Sequence, residues 1–387
     1  MWAHENPFSS NSEGIFFVFS FYNYQSVRIC LFGDAGSIHL ERWCQFFIGE
    51  GHEVHLISFT KAEVPGTKCY HIDAGPIAVQ GGNWRVLFQY RKVRKLVKQI
   101  QPDVFHALYA TSYGITGALV NYHPYIISSL GSDILISPKR SKILRALLRF
   151  AYGRVDASTT MSQQMKDVSI SYGLPGDKIQ LLPFGIDPSV FNADGRNLAA
   201  SPFIICSTRN FEEVYNIPDL INAVAAIKNQ LGNFELWMAG IGTLESQIKS
   251  LVAEHGLSDK VRFLGRLKQP ELAHKLRNSH VFISMSSSDG NSVSLSEGMA
   301  CGCVCIVSEI EANKFWIEHG KTGFFVPVHG VSELSERILA VKADYEAIQK
   351  RMFEINQPIL EEKGNWFKNM RTVTDLYARV LGKNQPK

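Results

Sequence analysis

Residues 286–302 read Ser-Ser-Ser-Asp-Gly-Asn-Ser-Val-Ser-Leu-Ser-Glu-Gly-Met-Ala-Cys-Gly. Two carboxylates, Asp289 and Glu297, stand eight positions apart. Between them a small, polar stretch (Gly290, Asn291, Ser292, Val293, Ser294) turns into a helix. A helix start offers backbone N–H groups and about half a positive charge to a phosphate. A carboxylate on its first turn can accept both hydroxyl hydrogens of a ribose diol. Two local readings need no ligand. Ser294-x-x-Glu297 has the spacing of a capping box, and Asp289-Gly290 is a turn dipeptide. Spacing alone leaves these alternatives open.

Other loops carry further candidates. Gly33-Asp34-Ala35-Gly36 follows an apolar run, and Gly33 and Gly36 let backbone approach a ligand closely. Ser207-Thr208-Arg209 ends another run, so Arg209 can face a phosphate or pair at the surface with Glu212 or Glu213. Gly131-Ser132-Asp133 ends a third, and His106 closes Pro102–His106. His39 lies near the glycine loop, facing either the cleft or the core. No His, Asp and Cys set has the spacing of a structural metal site, and no metal is expected. Cys301, Cys303 and Cys305 share one face if extended and read as buried small residues.

These loops need a scaffold, and the chain supplies an alternating one. Val27–Phe32 and Val54–Phe59 are short apolar runs with β-branched residues, and they flank a helical stretch over 37–50. The alternation continues to Phe184-Gly185-Ile186-Asp187-Pro188, becomes polar over Asn192–Ser201, and starts again at Phe203. This is the pattern of an α/β protein with two doubly wound, Rossmann-like domains, over residues 27–188 and 200–365. In such sheets ligands bind beyond the carboxyl ends of the strands, where the candidate loops fall.

Composition narrows the class. The 387 residues are 45% hydrophobic and 20% charged, enough for full cores. A net charge of +4 and the lack of any recognition motif argue against a nucleic-acid partner. No apolar run reaches the ~20 residues of a membrane span. Seven scattered cysteines suit a reducing compartment, so a cytoplasmic location is expected. Lys142, Arg145 and Arg149 share a helix face, and Arg91, Lys92, Arg94, Lys95 and Lys98 make a second basic cluster. The competing reading is ordinary solvated faces. Peripheral attachment to an anionic membrane surface, on the inner face of the cytoplasmic membrane, is an expectation. Residues 1–26 hold no Lys or Arg and run aromatic, so they are expected to be a non-core extension, with the native start near Val27.

The order of these segments resembles the retaining GT-B glycosyltransferases of the large family four, the glycosyl transferases of group 1. The family's Glu, seven residues, Glu signature is similar to Asp289 through Glu297, followed by Gly298-Met299-Ala300-Cys301-Gly302. Gly33–Trp43 with Gly51–His55, Pro102–Ala107, Gly131–Asp133, Phe184–Asp187, Phe263–Gly265 and Gly320–Val328 agree in order. The resemblance implies two domains facing a cleft, with a helix over about 366–385 packed back on the first. It implies metal-independent transfer of a sugar from a UDP- or GDP-sugar, with no cofactor, to a glycan or lipid-linked acceptor. Envelope polysaccharide or lipopolysaccharide biosynthesis is the implied setting.

By residue, the resemblance implies that Glu297 holds the ribose and Asp289 the donor sugar. Gly290, Asn291, Ser292, Val293 and Ser294 would line sugar and diphosphate, facing Gly33 and Gly36. Gly265 and Arg266 would lie near the base. There are departures. The family's Lys beside the diphosphate falls at about Tyr215-Asn216, which places Asn216 in the donor site. The family's His before Gly-Ser-Asp is Leu130, with Asp133 or His106 as replacements. A non-catalytic nucleotide-sugar binder or partner subunit is the alternative these departures raise. A same-fold epimerase is a further one. A Rossmann oxidoreductase would need Gly-x-Gly-x-x-Gly after the first strand, which is absent.

Overall fold

The computed structural model describes residues 26–75, 84–198 and 202–382. The expected N-terminal extension lies outside the described residues except for Ser26, as do positions 383–385 of the expected last helix.

Seven parallel strands form the first sheet: β1 (Arg28–Phe32), β2 (Glu53–Ser58), β3 (Lys68–His71), β4 (Val104–Leu108), β5 (Tyr125–Ser128), β6 (Ala157–Thr160) and β7 (Ile179–Leu181). Their order is β3-β2-β1-β4-β5-β6-β7. The second sheet holds β8 (Phe203–Ser207), β9 (Phe234–Met238), β10 (Val261–Phe263), β11 (Val281–Ser284), β12 (Val304–Ser308) and β13 (Phe324–Val326). It is also parallel, ordered β10-β9-β8-β11-β12-β13. Helices cover both faces, so inner strands are apolar throughout rather than alternating. In β1, Ile29, Cys30, Leu31 and Phe32 are all fully buried. This is the expected α/β class.

β3 was not legible in advance. It is a four-residue edge strand whose Lys68 and His71 are exposed, so it has no apolar run. The basic stretch after residue 84 divides into a 3₁₀ segment, Trp84–Gln89, and an α-helix, Tyr90–Ile100.

Each sheet reverses strand order once, between β1 and β4 and between β8 and β11. A crevice opens at such a reversal, because neighbouring connections leave toward opposite faces. The loops after these four strands hold Gly33–Gly36, Tyr109, Arg209 and Asp289.

The helix Trp366–Val380 buries Trp366, Met370, Val373, Leu376 and Tyr377 in the first domain's core. The chain returns there beside the outgoing linker, through a parallel bridge between Ile186 and Asn365. Gly185 is required at this crossing. A Cβ on it would stand 2.4 Å from the Gly364 oxygen and 2.5 Å from the Trp366 nitrogen.

Candidate active site

The helix carrying Glu297 spans Val293–Ala300, with Ser292 at its N-cap position. Ser294 is therefore inside the helix and Glu297 in its second turn, so the pair makes no capping box. Their side chains have other partners. The Ser294 hydroxyl accepts from Arg209 Nη1 at 2.7 Å. The Ser292 hydroxyl donates to Asn313 Oδ1 at 2.5 Å and lies 3.3 Å from Asp289 Oδ2. Glu297 is 8% exposed, and burial pushes its carboxyl up to about 7 against the opposing charges of Arg42 and Arg209.

Arg209, at the end of β8, is the hub. Its Nη2 donates to Asp289 Oδ2 at 2.8 Å, an ion pair with both side chains mostly buried. Its guanidinium lies 4.1 Å from the Tyr215 ring centroid. The surface pairing with Glu212 is not made, because Glu212 accepts from the backbone and hydroxyl of Thr243. Tyr215 thus covers Arg209 where the resemblance has a lysine. Asn216 sits at φ 47° and donates to the Met285 oxygen at 2.8 Å, bracing the loop after β11 from behind.

The first domain meets this loop directly. A Cβ on Gly131 would stand 3.3 Å from Gly290 Cα. One on Gly290 would stand 2.9 Å from both Gly131 Cα and the Leu130 oxygen. Val293 packs on the first domain's core. Gly33 and Gly36 lie at the first sheet's reversal, but Gly33 serves packing too: a Cβ there would reach Leu40 and Leu108 at 3.3–3.4 Å. Gly36 N–H donates to Asp34 Oδ1 at 3.0 Å. Gly265 has φ +64° after β10, next to the exposed Arg266.

Two sequence candidates leave the cleft. His106 is fully buried between Tyr377 OH, 2.6 Å from Nδ1, and Ser128 Oγ, 2.7 Å from Nε2. Burial pushes it down to about 3, so the ring is neutral and ties the last helix to the first sheet. Asp133 is also fully buried. Its carboxylate accepts from the N–H groups of Ala110 at 2.6 Å, Gly131 at 2.8 Å and Leu130 at 3.1 Å. It clasps the loops after β4 and β5 instead of facing a substrate. His106 is the middle residue of β4 and Asp133 lies in the short helix Ser132–Leu135 after β5, and spacing cannot tell an inward side chain from an outward one at either place.

Sequence reasoning missed Arg42. It lies on the first helix, Ile38–Gly49, donates to the Gly185 oxygen at 3.1 Å and stacks 4.1 Å from the Trp366 ring centroid. Its charge acts on Glu297 from the opposite domain. One signal was available: an arginine beside Trp43 and one turn beyond His39. His39 itself stacks on Phe184 at 4.7 Å, and burial pushes it down to about 4. Cys301, Cys303 and Cys305 are buried free thiols. Among the described residues, no three His, Cys, Asp or Glu side chains are grouped to hold a metal.

Two parallel α/β domains with an Arg209–Asp289 pair and a buried Glu297 at their switch point define a GT-B protein. Comparison with known families agrees. The family described as Glycosyl transferase 4-like matches residues 28–162, and Glycosyl transferases group 1 matches residues 192–356. The chain belongs to the group 1 glycosyltransferases. It is 26% identical over 355 residues to N-acetyl-alpha-D-glucosaminyl L-malate synthase of Bacillus anthracis, covering 86% of this chain and 90% of that one. It is 31% identical over 176 residues to the amylovoran biosynthesis glycosyltransferase AmsK of Erwinia amylovora. That match covers 44% of this chain and spans 43% of AmsK. Among solved structures, Anabaena HepE in complex with UDP and glucose superposes with TM-score 0.76 at 16% identity, covering 91% of this chain and 100% of that one.

Proposed function

We propose that this glycosyltransferase moves a hexosyl group from a UDP- or GDP-sugar to a glycan or lipid-linked acceptor. The reading includes retained anomeric configuration, no required metal, and a place in envelope polysaccharide or lipopolysaccharide biosynthesis. One observation carries it: Arg209, Asp289, Ser294 and Glu297 gather at the second sheet's reversal, against the first domain. The amylovoran role in AmsK's name and the UDP and glucose bound to HepE support setting and donor.

In this reading Glu297 accepts from the ribose diol, Asp289 contacts the donor sugar, and Arg209 meets the diphosphate. An anomeric carbon losing diphosphate becomes oxocarbenium-like. Rate then depends on neutralising the leaving group and placing the acceptor oxygen. Among the described residues no helix is long and apolar enough to cross a membrane. A lipid-linked acceptor is supported by the helix Lys142–Tyr152, where Ile143 is 65% exposed and Phe150 36%. Lys142, Arg149 and Arg154 are exposed around them. The second basic cluster supports this less, since Arg94 is spent on the carbonyls of Leu119 and Val120.

The experiment is a thermal-shift panel of UDP, GDP, ADP and their sugar conjugates on wild type and Glu297→Ala. A ligand at 100 times its Kd should stabilise by about 2.7 kcal/mol. One nucleotide should stabilise wild type and not the variant, and its sugar conjugate should then be turned over with retention. A second reading, a non-catalytic nucleotide-sugar binder, is favoured by Tyr215 and Leu130 at the departing positions. Binding without transfer or donor hydrolysis would select it.

A further inference from the structure

We propose that the Asn291 side-chain amide reads the hydroxyls of the transferred sugar and selects a neutral hexose over a uronic acid. This rests on the donor-site reading above and names its substrate class more closely. Asn291 is 7% exposed, yet neither Nδ2 nor Oδ1 has a hydrogen-bond partner. Buried side-chain amides are nearly always paired, and those that are not need a specific explanation. The polar side chains at 289, 292 and 294 are engaged. Asp289 binds Arg209, Ser292 binds Asn313, and Ser294 binds Arg209.

A second set of unpartnered buried atoms lies at the adjoining strand end. They are Ser207 Oγ, Thr208 Oγ1 and Arg209 Nε. Arg209 joins this set to the Asn291 loop through its bonds to Asp289 and Ser294. The unpartnered atoms on the two loops are therefore two hydroxyls, one amide and the guanidinium Nε. The other two guanidinium nitrogens each hold one partner and keep a second N–H, which the diphosphate takes in this reading.

That inventory matches a polyol. An amide offers donors and an acceptor together, and a sugar hydroxyl both accepts and donates. A sugar carboxylate only accepts. It would leave Oδ1 unpaired and set a further negative charge beside Asp289 and beside the diphosphate that Arg209 serves in this reading. The Gly131–Gly290 contact closes the site beside Asn291, so a misfit is not relieved by solvent.

The test compares wild type with Asn291→Leu and Asn291→Gln, using nucleoside-diphosphate hexoses, their single deoxy analogues and the matching uronates. Wild type should prefer hexose to uronate by about 100-fold in kcat/KM. Asn291→Leu should lose about 10- to 100-fold on the hexose, with Kd for the free nucleoside diphosphate unchanged. At one deoxy position wild type should fall while Asn291→Leu does not, a coupling that a merely structural amide would not give. Asn291→Gln should recover part of the preference. Because it removes an unpaired buried amide, Asn291→Leu should melt no lower than wild type. Equal losses for wild type and Asn291→Leu at every deoxy position would overturn the proposal. If no transfer occurs, the donor-site reading is judged by nucleotide binding alone. Calorimetry of the sugar conjugates against free nucleotide then tests Asn291, and no tighter binding of any conjugate by wild type would overturn it.

Discussion

Gly131 and Gly290, one from each domain, meet so closely that a Cβ on Gly290 would stand 2.9 Å from the Gly131 Cα. The loop after β11 in the second domain is therefore seated on the loop after β5 of the first. Gly290→Ala must push the two apart, because the obstacles are backbone atoms. Misplacement of about 1 Å in a reacting pair costs roughly 100-fold. Transfer should fall by about that factor, while nucleoside-diphosphate affinity, which the proposed function assigns mainly to the second domain, should change far less. Unchanged kcat/KM in this variant would show that the two loops need not touch.

Arg209 should be the most sensitive position for chemistry. Arg209→Ala removes a cation and leaves Asp289 without its 2.8 Å partner. The expected loss in transition-state stabilisation is about 2–4 kcal/mol, or roughly 30- to 1000-fold in kcat/KM. Arg209→Lys should rescue little, since an ammonium cannot span Asp289 and Ser294 as a planar fork does. A loss under about threefold for Arg209→Ala would take this residue out of the phosphate site.

Glu297 should make stability depend on pH in an identifiable window. Its folded carboxyl is raised to about 7 by burial, from an ordinary value of 4.5. Between those values the folded chain keeps a proton that the unfolded chain releases, so stability falls as pH rises. Glu297→Gln stays uncharged and lacks this slope. Its melting temperature should match wild type near pH 4.5 and exceed it above pH 7. Parallel curves for the two proteins would contradict the burial of an ionisable Glu297. Nucleotide binding should strengthen as pH rises through about 7, because the proposed ribose contact uses the ionised carboxylate.

His106 and Asp133 should behave as structural groups. Tyr377→Phe removes the partner of His106 Nδ1 and should cost about 1–3 kcal/mol of stability. Asp133→Ala strips the acceptor from three backbone N–H groups and should cost about 3 kcal/mol or more. Denaturant melts check both. A normal melt with lost turnover would return either residue to the chemistry.

The exposed face of the helix Lys142–Tyr152 should bind anionic vesicles. Ile143→Asp with Phe150→Asp should abolish flotation with them, and wild-type binding should weaken with salt. Failure of wild type to float at low salt would end the membrane reading. Turnover of a water-soluble acceptor should survive the double substitution.

The α/β class, its two alternating series and the loops worth attention were legible from local pattern alone. Burial on both sheet faces turns inner strands into apolar runs, as at Val304–Val307, and such runs need no partner to be recognised. Asp289, Arg209 and Glu297 came forward as candidates for a different reason, because the segments that follow strands in a doubly wound sheet are where ligands go. What the chain could not show locally was which way side chains turn and what meets across the domains. Ser294 looks like a capping residue for Glu297 until the helix is seen to start at Val293 and Arg209 is seen to hold the hydroxyl. His106 and Asp133 look like cleft residues until Tyr377 and the Ala110 N–H claim them. The charge of Arg42 acts on Glu297 only because the first domain packs against the second there. Contacts between residues hundreds of positions apart, such as His106 with Tyr377, leave no periodicity in a sequence, and only tertiary packing decides them.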